Sequence, residues 1–258
     1  MVTSTEPGFV ILFEDNHLMA VSKAAGVVSH PCYKHPDGTL YNALLDYLRS
    51  TAPEGDPAAH PRLLQRLDKG TSGVMLVSKT MLAHAGVIRA MTKGTAGGVR
   101  KEYLAVVHGV PDPPEGEITL RLRRDPEDTR RVAASETEGK ESVTRYRVLC
   151  SRPSGERPSG LGSQASDRSS SLVVCSALTG RMHQIRVHLA ARGWPIVGDP
   201  VYGPGEFEGA PPLGRQALHA WRVSLAHPMT GAPLAVTAPI PPDLGALLDS
   251  LGLAGPPC

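Results

Sequence analysis

The chain has 258 residues, 41% hydrophobic and 20% charged, enough for one large domain or two small ones with a real core. Its formal net charge is only +2, so no overall basic excess announces a nucleic-acid binder, although a single basic face is compatible with that total. No apolar run reaches the length of a membrane span, and the opening MVTSTEPG lacks the basic stretch and apolar core of a signal peptide, so a cytoplasmic protein with no membrane association is expected.

In chain order, strands are predicted at Phe9–Phe13 and His17–Ser22, short runs of Val, Leu and Ile bounded by Gly or Asp. A helix follows over Leu40–Arg49 with Thr39 as N-cap, then a Pro- and Ala-rich loop over Ala52–Pro61. The very apolar Gly73–Lys79 is a strand, and Met81–Lys93 a helix opened by Thr80 and closed by Gly94. Further strands are expected at Glu102–His108, Val143–Leu149, Leu172–Leu178, Ala217–Leu225 and Leu234–Ala238, with a helix over His183–Arg192 closed by Gly193. Between them, Arg121–Arg131 holds five arginines among acidic residues, which reads equally as a solvated loop or as a phosphate contact. Ser151–Ser171 is crowded with Ser, Gly and Pro and is expected to be a mobile insertion in a hairpin, with too little apolar surface to offset its ordering entropy. Many strands with helices interspersed, rather than regular alternation, point to an α+β domain on a mixed or antiparallel sheet with flanking helices and loops. The four cysteines are far apart and form no CxxC pair, so neither a disulfide framework nor a zinc site is expected.

Three segments concentrate chemistry. Leu64–Lys79 packs a carboxylate, Asp68, with Arg66, Lys69, Thr71 and Ser72 ahead of a buried strand, and Gly70 and Gly73 permit a tight backbone. Composition alone would also allow an ordinary polar turn there. Leu178–Arg192 turns at Gly180 into a helix carrying Arg181, His183, Gln184, Arg186 and His188. The two histidines stand at i,i+5, well apart around a helix, whereas a zinc-type pair needs i,i+4; no metal site is expected. Lys101–His108 alternates as a strand with Tyr103 on one face, where a core tyrosine is the ordinary reading.

Taken together these segments resemble the RluA-type pseudouridine synthases. The hallmark Arg-Leu-Asp with its Thr-Ser-Gly turn stands at Arg66–Gly73, and the Lys-x-Tyr strand at Lys101–Tyr103. The Thr-Gly-Arg-x-His-Gln-Ile-Arg-Val-His helix stands at Thr179–His188, and a Pro-Ile-Val-Gly-Asp-x-x-Tyr-Gly stretch at Pro195–Gly203. Flanking motifs at Glu14–Leu18 and Leu218–Pro228 agree in order, so the match runs from about Phe9 to Pro241. One departure is Gln65, where the family usually has His; Gln also donates and accepts hydrogen bonds, so activity is expected to persist.

The resemblance implies a pseudouridine-synthase catalytic domain over residues 9–245, with the insertion at 151–171; a second departure is that the separate S4-type RNA-binding domain many relatives carry is not expected here. It implies isomerisation of specific uridines in ribosomal or transfer RNA, with RNA as the partner, no cofactor and no obligate protein partner. Asp68 becomes the catalytic carboxylate, and Arg186 the counter-charge that keeps it ionised. Tyr103 would stack on the target uracil and offer its hydroxyl for proton transfer. Arg66 would fill the space left by a flipped nucleotide. Thr71, Arg181, His183 and Gln184 are implied substrate contacts, while Asp199 reads as part of a structural Gly-Asp turn. Two other readings are an RNA-binding module that has lost catalysis, against which intact Asp68, Tyr103 and Arg186 argue, and a carboxylate-based nucleosidase. The latter would need a second carboxylate, and none stands out within the matching motifs.

Overall fold

The computed structural model describes residues 8–51, 60–92, 98–128, 131–154 and 169–256. In chain order the elements are β1 (Phe9–Glu14), β2 (Leu18–Lys23), α1 (Leu40–Thr51), β3 (Arg62–Leu63), β4 (Ser72–Ser78), α2 (Met81–Thr92), β5 (Arg100–His108), β6 (Glu115–Arg124), β7 (Val132–Ser135), β8 (Lys140–Arg152), β9 (Ser170–Ala177), α3 (Gln184–Ala191), β10 (Leu218–Ala226), β11 (Pro233–Thr237) and α4 (Pro242–Leu251). This is the expected α+β class. The chain packs as two compact units, one from Met1–Lys101 and Ala220–Pro239, the other from Glu102–His219 and Ile240–Cys258.

In the first unit the strand order is β1-β2-β4-β10, with β3 on β4 and β11 on β10. The β1–β2, β2–β4, β3–β4 and β10–β11 ladders are antiparallel. All seven residues of β4 are buried, as befits the run SGVMLVS. Helix α1 buries Leu40, Leu44 and Leu48, one residue per turn on one face. Its start is a reciprocal cap: the Thr39 amide donates to Asn42 Oδ1 at 3.1 Å, and the Asn42 amide to Thr39 Oγ1 at 3.4 Å. Thr80 opens α2 as expected, accepting the Ala83 amide.

In the second unit the order is β5-β9-β8-β6-β7, with antiparallel β5–β9, β8–β9, β6–β8 and β6–β7 ladders. Leu104–Val107 of β5 and Leu172–Cys175 of β9 supply much of its buried apolar surface. Helix α3 packs against β6, β7, β8 and β9.

Several expectations need correction. The arginine-rich segment is not a loop throughout: Arg121, Arg123 and Arg124 lie in β6, and Arg131 immediately precedes β7. Ile118 and Leu122 are buried there, four residues apart on one face, while the arginines are exposed. The last helix, α4, lies beyond the elements expected from sequence; it buries Leu244, Leu247, Leu248 and Leu251 and ends at Gly252 with φ 64°. The ends of the expected insertion are strand, because Ser151 pairs with Ser171 and Arg152 with Ser170; residues 155–168 lie outside the described residues, as do 52–59 of the first loop.

Candidate active site

Asp68 belongs to the first unit, and Tyr103 and Arg186 to the second; each set is built within its own unit.

The segment between β3 and β4 carries Asp68, which is half-buried, with Arg66 and Lys69 exposed on either side. A bend like this cannot satisfy its own backbone, so its partners decide whether it is rigid. They come from the segment after β2. Ser29, 4% exposed, donates its hydroxyl to Leu67 O at 2.8 Å and accepts the Leu67 amide at 3.1 Å. One side chain thereby replaces the strand partner that Leu67 lacks. Lys23 is 1% exposed, and its ammonium donates to Ala24 O, Val27 O and Lys69 O at 2.8, 2.8 and 3.3 Å. The Gly26 amide also reaches Lys69 O, at 2.8 Å, and the Thr71 amide closes the turn onto Asp68 O at 3.0 Å. Both backbone neighbours of Asp68 are thus held from outside the turn. Thr71 is buried, and Gln65 donates to Val74 O at 3.0 Å. Gly73 has φ 114°, and a Cβ there would lie 2.1 Å from Ala220 O; only glycine lets β4 approach β10 at this point.

In the second unit Tyr103 sits half-buried on β5, opposite Cys175 of β9. Arg186 is buried in α3 and forms a bidentate pair with Asp199: Nε donates to Oδ2 at 2.7 Å and Nη2 to Oδ1 at 2.8 Å. Asp199 Oδ1 also accepts the Val201 and Tyr202 amides, at 2.9 and 3.2 Å. Burial pushes the Asp199 carboxyl up, but the Arg186 guanidinium and these amides outweigh it and hold it below the ordinary carboxylate value. The Tyr202 ring lies 5.1 Å from the Arg186 guanidinium carbon, and its hydroxyl accepts the Val132 amide at 2.8 Å and meets His183 Nδ1 at 2.9 Å. Burial raises the Tyr202 phenol above its usual value, so it stays neutral.

The remaining expected contacts have distinct places. His183 is the N-cap of α3, half-buried, with φ 54°, and among the described residues no other non-glycine has positive φ. The side chain of Arg181 is exposed. Gln184 is buried and its amide is spent on protein: Oε1 accepts Thr179 Oγ1 and the Arg181 amide, and Nε2 donates to Val143 O and Thr144 Oγ1. In this structure it ties the turn before α3 to β8. His188 differs wholly from His183: it is fully buried, and burial, aided by Arg192, pulls its pKa down to about 4. Asp199, read from sequence as part of a structural turn, and Tyr202, to which the sequence assigned no role, are functional candidates, and both stand in the Pro195–Gly203 motif. Lys23 and Ser29 gave no signal in the sequence.

Comparison with known proteins gives the family of the chain. The family model described as RNA pseudouridylate synthase matches residues 17–191. A ribosomal large subunit pseudouridine synthase D from Nitrosomonas europaea is 38% identical over 93% of this chain and 64% of its own length. Its counterpart in Xanthomonas campestris pv. campestris is 37% identical over 93% of this chain and 69% of its own. The chain therefore spans about two thirds of the length of these relatives. Among solved structures, human RNA pseudouridylate synthase domain containing 4 superposes with a TM-score of 0.68 at 24% identity, over 96% of this chain and 94% of that one, a likeness of fold. With the model match spanning Asp68, Tyr103 and Arg186 together, and relatives this similar across nearly all of the sequence, the chain belongs to the RNA pseudouridylate synthase family.

Proposed function

We propose that this chain isomerises uridine to pseudouridine in RNA, with ribosomal RNA as its substrate. The observation that carries the reading is the family match from 17 to 191, within which Asp68, Tyr103 and Arg186 are all intact. The substrate follows from the relatives' description as ribosomal large subunit synthases.

In the reaction the N1–C1′ bond breaks, the uracil turns, a C5–C1′ bond forms, the C5 proton leaves and N1 ends protonated. Atoms and electrons balance without redox change or an energy source, so no metal or organic cofactor is called for. Positive charge develops at C1′ as the glycosidic bond loosens, and the Asp68 carboxylate is the group that stabilises it or attacks C1′. Arg186 supplies the counter-charge such a carboxylate needs in a water-poor site. Tyr103 stacks on the uracil and handles a proton through its hydroxyl. Arg66, exposed beside Asp68, occupies the space of the flipped-out nucleotide, and Arg181 and His183 contact the RNA. Thr71 serves the same end by shaping the turn. The protein acts in the cytoplasm, without an obligate protein partner; none of its described helices is long and apolar enough to cross a membrane.

The test is to incubate the protein separately with uridine, UMP and ribosomal RNA transcripts labelled with tritium at C5, and to count released tritium. Release from RNA alone is expected, and Asp68→Asn, which keeps the shape of the side chain, is expected to abolish it in a folded protein. Release from free uridine, or an active Asp68→Asn, would refute the reading.

A further inference from the structure

The chemistry assigned to Arg186 requires its charge to be aimed as well as present. An arginine side chain has four rotatable bonds, and a guanidinium that must be steered after substrate arrives adds reorganisation to the barrier. The structure shows what removes that freedom in this chain. Asp199, fully buried, takes the Nε–Nη2 edge of the guanidinium in a two-point grip. The carboxylate is itself fixed by the backbone amides of Val201 and Tyr202, so it cannot swing without undoing the turn that carries it. The Tyr202 ring supports the guanidinium from its face, and the Tyr202 hydroxyl is anchored in turn to the Val132 amide and the His183 ring. In-plane grip and facial support together fix both the position and the plane of the guanidinium.

We propose that Asp199 is a positioning residue of the reaction: it orients Arg186 so that the guanidinium edge opposite its own grip is presented to the reacting site. This rests on the functional reading of Arg186 given above. A purely stabilising role is a weak account of the pair, because a buried ion pair gains little over well-packed apolar residues of the same volume. Four donors converging on one carboxylate make an orienting device. The same carboxylate leaves the Arg186 charge partly neutralised, so orientation, not added field, is what it contributes.

The experiment compares the intact protein with Asp199→Asn and Asp199→Glu, measuring tritium release from ribosomal RNA under single-turnover and saturating conditions, with folded fraction taken from thermal melts. Asp199→Asn removes the charge but keeps the shape. Asp199→Glu keeps the charge and the ion pair, and so the fold, but pushes the guanidinium outward by about one methylene. Both variants are expected to lose about 10- to 100-fold in kcat per folded molecule, as is usual when a group supporting a reactive residue is lost, with KM for RNA changed less than about threefold. A folded Asp199→Glu with the intact protein's kcat overturns the proposal, whatever Asp199→Asn does. So does a loss seen only in KM or only in folded fraction. An intact protein that releases no tritium from any RNA overturns the functional reading, and this inference with it. An active intact protein with a fully active Asp199→Glu overturns this inference alone.

Discussion

His188 gives the sharpest test of the electrostatics, because it is fully buried and neither ring nitrogen finds a hydrogen-bond partner among the described residues. Burial, with Arg192 nearby, lowers its pKa from 6.5 to about 4. Below pH 6.5 the unfolded chain therefore takes up a proton that the folded chain refuses until the pH nears 4. Stability falls with pH across that window and falls no further beneath it. With these two values, the loss between pH 7 and pH 5 is about 2 kcal/mol, rising to about 3 kcal/mol at the acid limit. His188→Leu removes the titrating group and fills a similar volume. Urea unfolding of both proteins at pH 7 and pH 5 isolates the effect, because acid-sensitive pairs such as Arg186–Asp199 and Arg215–Asp243 are common to both and cancel. The leucine variant is also expected to be more stable at pH 7 by about 1 kcal/mol, having no unsatisfied ring nitrogens to bury. Equal pH dependence in the two proteins would show that His188 is hydrated or paired in solution, and the reasoning would fail.

Gly73→Ala should destabilise by about 4 kcal/mol or more, since the added carbon meets the Ala220 backbone at a φ of 114°; chemical denaturation reads it directly, and a loss under about 1 kcal/mol would contradict the close approach. Ser29→Ala strands the Leu67 amide and carbonyl and should cost about 1–3 kcal/mol, with kcat lowered more than KM because the turn holding Asp68 loosens. An unchanged kcat there would show that the turn is rigid without Ser29. Replacing residues 155–168 by a short Gly-Ser turn between β8 and β9 should leave turnover on ribosomal RNA intact; complete loss in a folded protein would place that segment in RNA docking.

Legibility from sequence followed the physical strength of each signal. Strands β2, β4 and β5 are dense apolar runs and could hardly be anything else. Strand β6 lacked a clear signal because GEITLRLRR alternates correctly but carries arginine at two outward positions and at its end, which read as loop when counted by composition. Helix α4 carries a full sequence signal, Pro242 at the start, four leucines at helical spacing and Gly252 at the end, and was legible in principle. In the site, Asp68, Tyr103 and Arg186 stood out as members of motifs. The Arg186–Asp199 pair did not, because its members are 13 residues apart across the end of a helix and a turn, where no periodicity links them. Lys23 looked like the end of an ordinary strand; that its ammonium would be buried to cap three carbonyls depends on a tertiary approach that no local pattern encodes.

The route of the chain through the first unit bears on its synthesis. Strand β4 can pair with β2, and its Val77–Ser78 end with β3, as soon as these have left the ribosome, but the neighbour along the rest of that second edge, β10, begins only at Leu218. Until then a strand that is buried throughout in the folded protein has most of one ladder edge open, and that edge is a template for any other strand that meets it. The nascent protein is consequently at its most aggregation-prone while most of the second unit is being translated. Truncation before Leu218 should yield chains held by chaperones or driven to inclusion bodies, whereas chains released after Thr237 can close the edge for themselves.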